Sequence, residues 1–240
     1  QIYSEESLDE SNKFEASELR SMVLINNGSG GFDMRALPRI VQISPGFGTA
    51  LQDFDGDGNL DLCIAQNFMQ PQPETGQMDG GIGALLLGDG TGQFRQLLPA
   101  LSGISVEGQG MALTVTDINA DGAPDLFMSI NDGPARSWIN QTATSGKRVA
   151  VTLDAGPGNP TGVGARLIVE TTNGRTLHEV TAGAGYLSQS SPQVFLVSDP
   201  ANPITNLKIQ WPDGTVQNQP FDSSASRLSI EKQAAVSTGE

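Results

Sequence analysis

An all-β fold is predicted for this chain, and three observations carry the prediction. Turn-forming residues are abundant, with Gly at 29 and Pro at 14 of 240 residues, and no long apolar pattern of helical period runs between them. A glycine-rich segment and an acidic loop each recur a little over sixty residues later. Beyond residue 147, apolar residues alternate with period two over short runs, as half-buried strands require.

The repeat sets the organisation. Leu24 to Phe32 (LINNGSGGF) matches Leu86 to Phe94 (LLGDGTGQF) at a spacing of 62, and Asp53 to Asp61 (DFDGDGNLD) matches Asp117 to Asp125 (DINADGAPD) at a spacing of 64. Trp138 to Gln141 is a partial third copy of the first motif. Self-similarity of this period marks stacked or radially arranged units. The complete unit reads as four strands, over 48–54, 60–66, 83–87 and 94–98, with the Gly88–Gly92 turn giving the last pair the positive φ angles a hairpin needs. Four antiparallel strands with glycine-rich turns describe a propeller blade. Residues 21–38 supply the end of one blade, 47–99 a whole one and 108–142 most of another. Since a closed propeller takes at least four, the expectation is an incomplete propeller over 21–142, whose missing blades belong to a longer chain or to partner chains.

Flanking segments differ in composition. Residues 1–20 are acidic and polar, an arm that is either a short helix or disordered. Thr142 to Gly146 is a small-polar linker. The alternating runs 148–153, 164–171, 176–181, 193–197 and 206–211 then predict a compact β-sandwich of about seven strands or fewer over 147–232, with a frayed tail after Glu231.

A net charge of −14 argues against nucleic acid and anionic membrane surfaces as partners. No stretch approaches the roughly 20 apolar residues that span a bilayer, so no membrane insertion is expected. The single cysteine, Cys63, cannot form an internal disulfide and sits in an apolar run as a buried strand thiol.

The acidic loops carry the chemistry. Calcium takes six to eight hard oxygen ligands, and carboxylates at alternate positions of a curled loop converge on one point. In the first loop the ligand positions are Asp53, Asp55, Asp57 and Asp61, with Asn59 offering its backbone carbonyl. In the second they are Asp117, Asn119, Asp121 and Asp125, with Ala123 at the carbonyl position. An EF-hand is excluded, because position twelve is Ile64 or Met128 in place of the bidentate Glu and the flanks are strand-like. The expectation is about two calcium sites that rigidify the blades, with affinity on the order of 10⁻⁴–10⁻³ M.

These residues carry a family resemblance. Phe47 to Ala50 (FGTA) followed by the first loop resembles an FG-GAP repeat, the calcium-loop blade of integrin α-subunit propellers; Gln109-Gly110 departs from Phe-Gly in the second copy. Asn159 to Arg166, Gly185 to Gln189 and Trp211 to Gly214 resemble the ASPIC/UnbV domain that follows such repeats in cartilage acidic protein and bacterial secreted proteins. The resemblance implies a calcium-binding protein that is secreted or at the cell surface, extracellular or periplasmic, and implies no reaction.

Two functions follow as expectations. One is a non-enzymatic adhesion or ligand-binding module for a protein or glycan. The alternative is an extracellular hydrolase or lyase fragment with calcium as structural ion. Against catalysis, no Gly-x-Ser-x-Gly elbow is present, and the one histidine, His178, reads as an exposed position of a strand. Gly162-Val-Gly164 and Gly183-Ala-Gly185 lack the P-loop Lys and read as tight corners. Tyr186 and Trp211 read as sandwich core, and Pro212-Asp-Gly214 as a turn. Two sequons, at Asn27 and Asn140, are weak signals.

Overall fold

The computed structural model describes residues 4–233. They form two short α-helices, one turn of 3-10 helix and sixteen strands: β1 (Met22–Asn26), β2 (Phe32–Ala36), β3 (Gly46–Gln52), β4 (Asp61–Gln66), β5 (Ala84–Gly88), β6 (Phe94–Leu97), β7 (Gln109–Thr116), β8 (Asp125–Asn131), β9 (Arg136–Trp138), β10 (Lys147–Asp154), β11 (Arg166–Thr171), β12 (Gly174–Glu179), β13 (Val194–Ser198), β14 (Ile204–Gln210), β15 (Val216–Gln219) and β16 (Arg227–Glu231). The all-β expectation holds, and every sheet is open.

The complete blade is the antiparallel meander β3-β4-β5-β6, as the sequence predicts, and β7-β8-β9 gives the next blade three strands. The β1–β2 hairpin is the partial unit. The 62-residue repeat is reproduced bond for bond at the two turns. Asn27 Oδ1 accepts from the Ser29 and Gly31 N–H groups and the Ser29 hydroxyl. Asp89 Oδ1 accepts from the Thr91 and Gln93 N–H groups and the Thr91 hydroxyl. A short polar side chain that satisfies the turn's own amides makes each hairpin self-supporting.

Strand β4 is buried along its whole length, because the blade is packed on both faces. Leu62 and Ile64 join Leu86, Leu37 and Val41 on one side, towards β1–β2. Cys63 and Ala65 point the other way, into a cluster with Leu113, Leu126 and Met128 of the next blade. Period-two geometry sorts the side chains between two cores, and burying each large aliphatic group contributes about 1.5–3 kcal/mol. Burial pushes the Cys63 thiol up to about 12, so it is inert as the sequence suggests.

The C-terminal region forms two sheets, β13-β10-β16 and β12-β11-β14-β15. Strands β15 and β16 are additions to the five runs read from the sequence, and β16 pairs with β10 in parallel. Val149, Val151 and Leu153 of β10 face Leu167, Val169, Leu207, Ile209 and Trp211 across the sandwich. Ala150 and Phe195 on the opposite face enter the blade core. The sandwich is thereby docked on the blades through the outer face of its smaller sheet.

The arm contains a helix at Glu5–Asp9 capped by Ser4, followed by irregular, exposed chain to Arg20. At the other end, Lys232 and Gln233 are held by hydrogen bonds to Asp154 and Gln217. The rest of the tail expected to fray lies outside the described residues.

Candidate metal centre

The first acidic loop joins β3 to β4 and closes on itself. Gly56 and Gly58 take φ values of +81° and +90°, which curl the chain around the carboxylates. Asp53 accepts from the N–H groups of Gly56 (2.6 Å) and Asp57 (3.2 Å) on Oδ1 and of Gly58 (2.9 Å) on Oδ2. Asp55 Oδ1 accepts from Asp57 N–H at 3.2 Å. Asp61, fully buried, braces the loop from below. Its Oδ2 accepts from Phe54 and Asp55 N–H, and its Oδ1 from Gly88 N–H on β5. The result brings carboxylate oxygens of Asp53, Asp55 and Asp61 within 4.8 Å of one another, a grouping of acidic side chains found only here among the described residues. Asp57 stands outside the triad, its carboxylate engaged by the backbone and side-chain amides of Asn59.

Burial raises all three carboxyls above the usual range, Asp61 to about 6, with the neighbouring carboxylates adding to the rise. Among the described residues no Lys or Arg pairs with any of them. Arg148, buried behind the loop, donates Nη2 to the Phe54 and Thr142 carbonyls, while its Nε and Nη1 have no partner among the described residues. Three converging carboxylates, of which only Asp55 feels a nearby guanidinium charge, that of Arg95, form a hard-oxygen donor set that fits a divalent cation such as calcium.

The second loop copies the first almost atom for atom. Asp125 Oδ2 accepts from Ile118 N–H at 2.8 Å, as Asp61 does from Phe54. Asp125 Oδ1 accepts from Asn140 N–H at 2.7 Å, in the place of Gly88. Asp117 holds the Asp121 and Gly122 N–H groups, Asn119 Oδ1 accepts from Asp121 N–H, and Asp121 Oδ1 from the buried Ala123. Two differences stand out. Ala120 adopts φ +68° where the first loop has Gly56. Arg227 of β16 donates Nε to Asp117 Oδ2 at 2.7 Å and Nη2 to the Asp117 carbonyl at 2.8 Å. The first difference predicts that Ala120→Gly raises stability by about 0.5–1 kcal/mol, because a left-handed alanine costs about 1–2 kcal/mol and glycine loses part of that gain to chain entropy. Urea midpoints of the two proteins check it; a drop in midpoint contradicts the strained backbone.

The remaining sequence candidates fall in other places. His178 is half-buried and so corrects the exposed reading; burial lowers its pKa. It lines a cleft of about 400 Å³ between the first loop and the C-terminal sheet, whose other lining residues include Asp57, Asn173, Arg175, Asp199 and Asn202. Trp211 is core, 2% exposed, but Tyr186 is not. Tyr186 packs on Phe47 at 5.4 Å between ring centroids, and Phe47 in turn on Phe68, so it belongs to the seam between blades and sandwich. The same seam uses Ser188 and Ser190: the Ser188 hydroxyl donates to the Leu113 carbonyl, and the Ser190 hydroxyl accepts from Val115 N–H. The motif around Gly185 thus joins two modules, which no local pattern indicates. The glycine pairs are tight corners, with positive φ at Gly162, Gly164 and Gly183, and Pro212–Gly214 is a turn. Asn140 gives its side-chain amide to the Phe54 carbonyl, so that sequon is structural.

Residues 53–128 match the family model of the FG-GAP-like repeat, and residues 155–237 match that of ASPIC and UnbV. No curated protein matches the chain. Among the described residues no helix is long and apolar enough to cross a membrane.

Proposed function

We propose that this chain, which joins blades matching the FG-GAP-like repeat to a sandwich matching the ASPIC/UnbV domain, is a calcium-stabilised, non-catalytic binding module that is secreted or held at the cell surface. The observation that carries it is the triad of Asp53, Asp55 and the fully buried Asp61, which forms no ion pair with a Lys or Arg among the described residues. Asp53, Asp55 and Asp61 would hold the ion, with Asp57 and the Asn59 carbonyl completing the set. A bound divalent ion supplies charge compensation there and fixes the β3–β4 connection. The ligand surface is the cleft beside this loop, lined by Leu60, Val169 and Phe195 together with amide, carboxylate and guanidinium groups. That mixture suits a glycan or an extended peptide.

Thermal melts test the metal. With an affinity on the order of 10⁻⁴–10⁻³ M, 10 mM calcium is expected to stabilise by about 1.4–2.7 kcal/mol, roughly 3–10 °C for a chain of this size. Magnesium, which holds its waters, gives less. An unchanged melting temperature from chelator to 10 mM calcium removes the reading. Binding to glycan and matrix-protein arrays with and without calcium then tests the ligand.

A hydrolase or lyase reading draws on one observation, that His178 and Asp57 line the same cleft. Turnover of any extracellular polymer that is abolished by His178→Ala would favour it over the binding module.

A further inference from the structure

The two acidic loops share most of their backbone hydrogen bonds but differ in charge and cover. The first carries four aspartates, Asp53, Asp55, Asp57 and Asp61, and pairs with no Lys or Arg among the described residues. The second carries three, Asp117, Asp121 and Asp125, with Asn119 in the place of Asp55. Its Asp117 side chain is fully buried beneath the guanidinium of Arg227, which reaches both a carboxylate oxygen and the main-chain carbonyl of that residue. The neighbouring Ser226 hydroxyl donates to the Ala120 carbonyl at 3.0 Å. The backbone of Ser226 and Arg148 lies so close over Gly122 that a Cβ there would meet carbonyl oxygens at 2.6 and 2.8 Å. The first loop, by contrast, opens along the cleft.

We propose that Arg227 is the resident cation of the second loop, so that this loop clamps the C-terminal sandwich to the last blade and takes no divalent ion. The chain then has one calcium site where the repeat implies two. A guanidinium is a suitable stand-in. It is permanently charged, and its fork serves a carboxylate and a carbonyl at once. A calcium ion bound at Asp117 would sit against that positive charge beside a carboxylate that is itself out of water, and the two cations would repel. The loop architecture has been kept and its cation supplied by the protein, which turns a metal site into an interdomain joint.

The proposal rests on the first loop being the calcium site, and the experiment separates the two. Calcium is titrated calorimetrically into the whole chain, into Asp53→Asn, into Arg227→Gln, and into Arg227→Gln combined with Asp121→Asn. The expected stoichiometries are one, zero, two and one. Arg227→Gln is also expected to melt lower than the parent in chelator and to recover part of the loss in millimolar calcium. Two sites in the parent, a retained site in Asp53→Asn, or a single site in Arg227→Gln each overturns the proposal. If Arg227→Gln does not fold, Asp53→Asn decides alone, since its second loop is intact. If the parent binds no calcium, the first-loop reading fails by itself. A site gained by Arg227→Gln would then still support the clamp, and none gained would refute it.

Discussion

Gly48→Ala is expected to destabilise the protein by about 3 kcal/mol, the upper range for forcing atoms into a packed interior. Gly48 lies on β3, at the second position of the Phe-Gly motif, and its φ is not among the positive ones, so alanine meets no backbone strain there. The obstacle is the next blade. A Cβ at residue 48 would stand 2.6 Å from both the Leu113 amide nitrogen and the Met111 carbonyl oxygen of β7. Both are main-chain atoms of a buried strand and cannot swing aside as a flexible side chain does. The motif therefore divides its work. Phe47 packs outward against Phe68 and Tyr186, while Gly48 lets two blades approach backbone to backbone. Calorimetry should show the melting temperature falling by about 6–12 °C. Gly158→Ala, where a Cβ meets nothing within 4 Å, is the matched control and should change little. A Gly48→Ala protein that melts with its parent would mean that the blades do not meet in this way.

The metal-free protein should lose stability as pH rises from about 5 to 6, against the usual trend for carboxylates. Burial holds the Asp61 carboxyl at about 6 in the folded chain, above its ordinary value of 3.8. The folded state therefore binds a proton more tightly than the unfolded one, and stability that is full below pH 3.8 declines until the folded group has ionised. The difference of roughly two pH units corresponds to about 3 kcal/mol. Asp53 and Asp55 shift in the same direction and add to the slope. Glu18 and Asp213, held at about 2 by Arg20 and Lys232, pull the other way up to about pH 5, where their unfolded counterparts still bind protons, so the decline is clearest from pH 5 to 6. Saturating calcium should remove the decline at the upper end of the window, because the ion binds the carboxylates. Urea midpoints of dialysed protein across pH 4 to 6, with and without calcium, make the measurement. Asp61→Asn, though weakened by the loss of an acceptor oxygen, should flatten the metal-free profile. Metal-free stability that climbs steadily over this range would contradict the buried triad.

The reach and the limit of the sequence show in particular residues. Strands β3 to β6 fall within a few residues of their predicted positions, because glycine-rich turns and alternating side chains define them locally. Strands β15 and β16 escaped, for β15 is a four-residue run of mixed polarity and β16 gains its place by pairing in parallel with β10. Leu24 and Leu86 occupy the same repeat position, yet one is 59% exposed and the other fully buried. Leu86 has β4 beside it and Leu24 has no such inner strand.

The acidic loops divide along the same line. Their spacing of Asp, Asn and Gly determined the curl and the internal hydrogen bonds of both, since every partner lies within eight residues of the loop's start. That much needs no fold. Whether a loop keeps its charge uncompensated is another matter, because Arg227 reaches Asp117 from 110 residues away and nothing in either segment announces it. Tyr186 and Phe47 meet across the seam for the same reason. Short-range bonds are written in spacing, whereas the neutralisation of a buried charge depends on which distant side chain the packing of two sheets delivers to it.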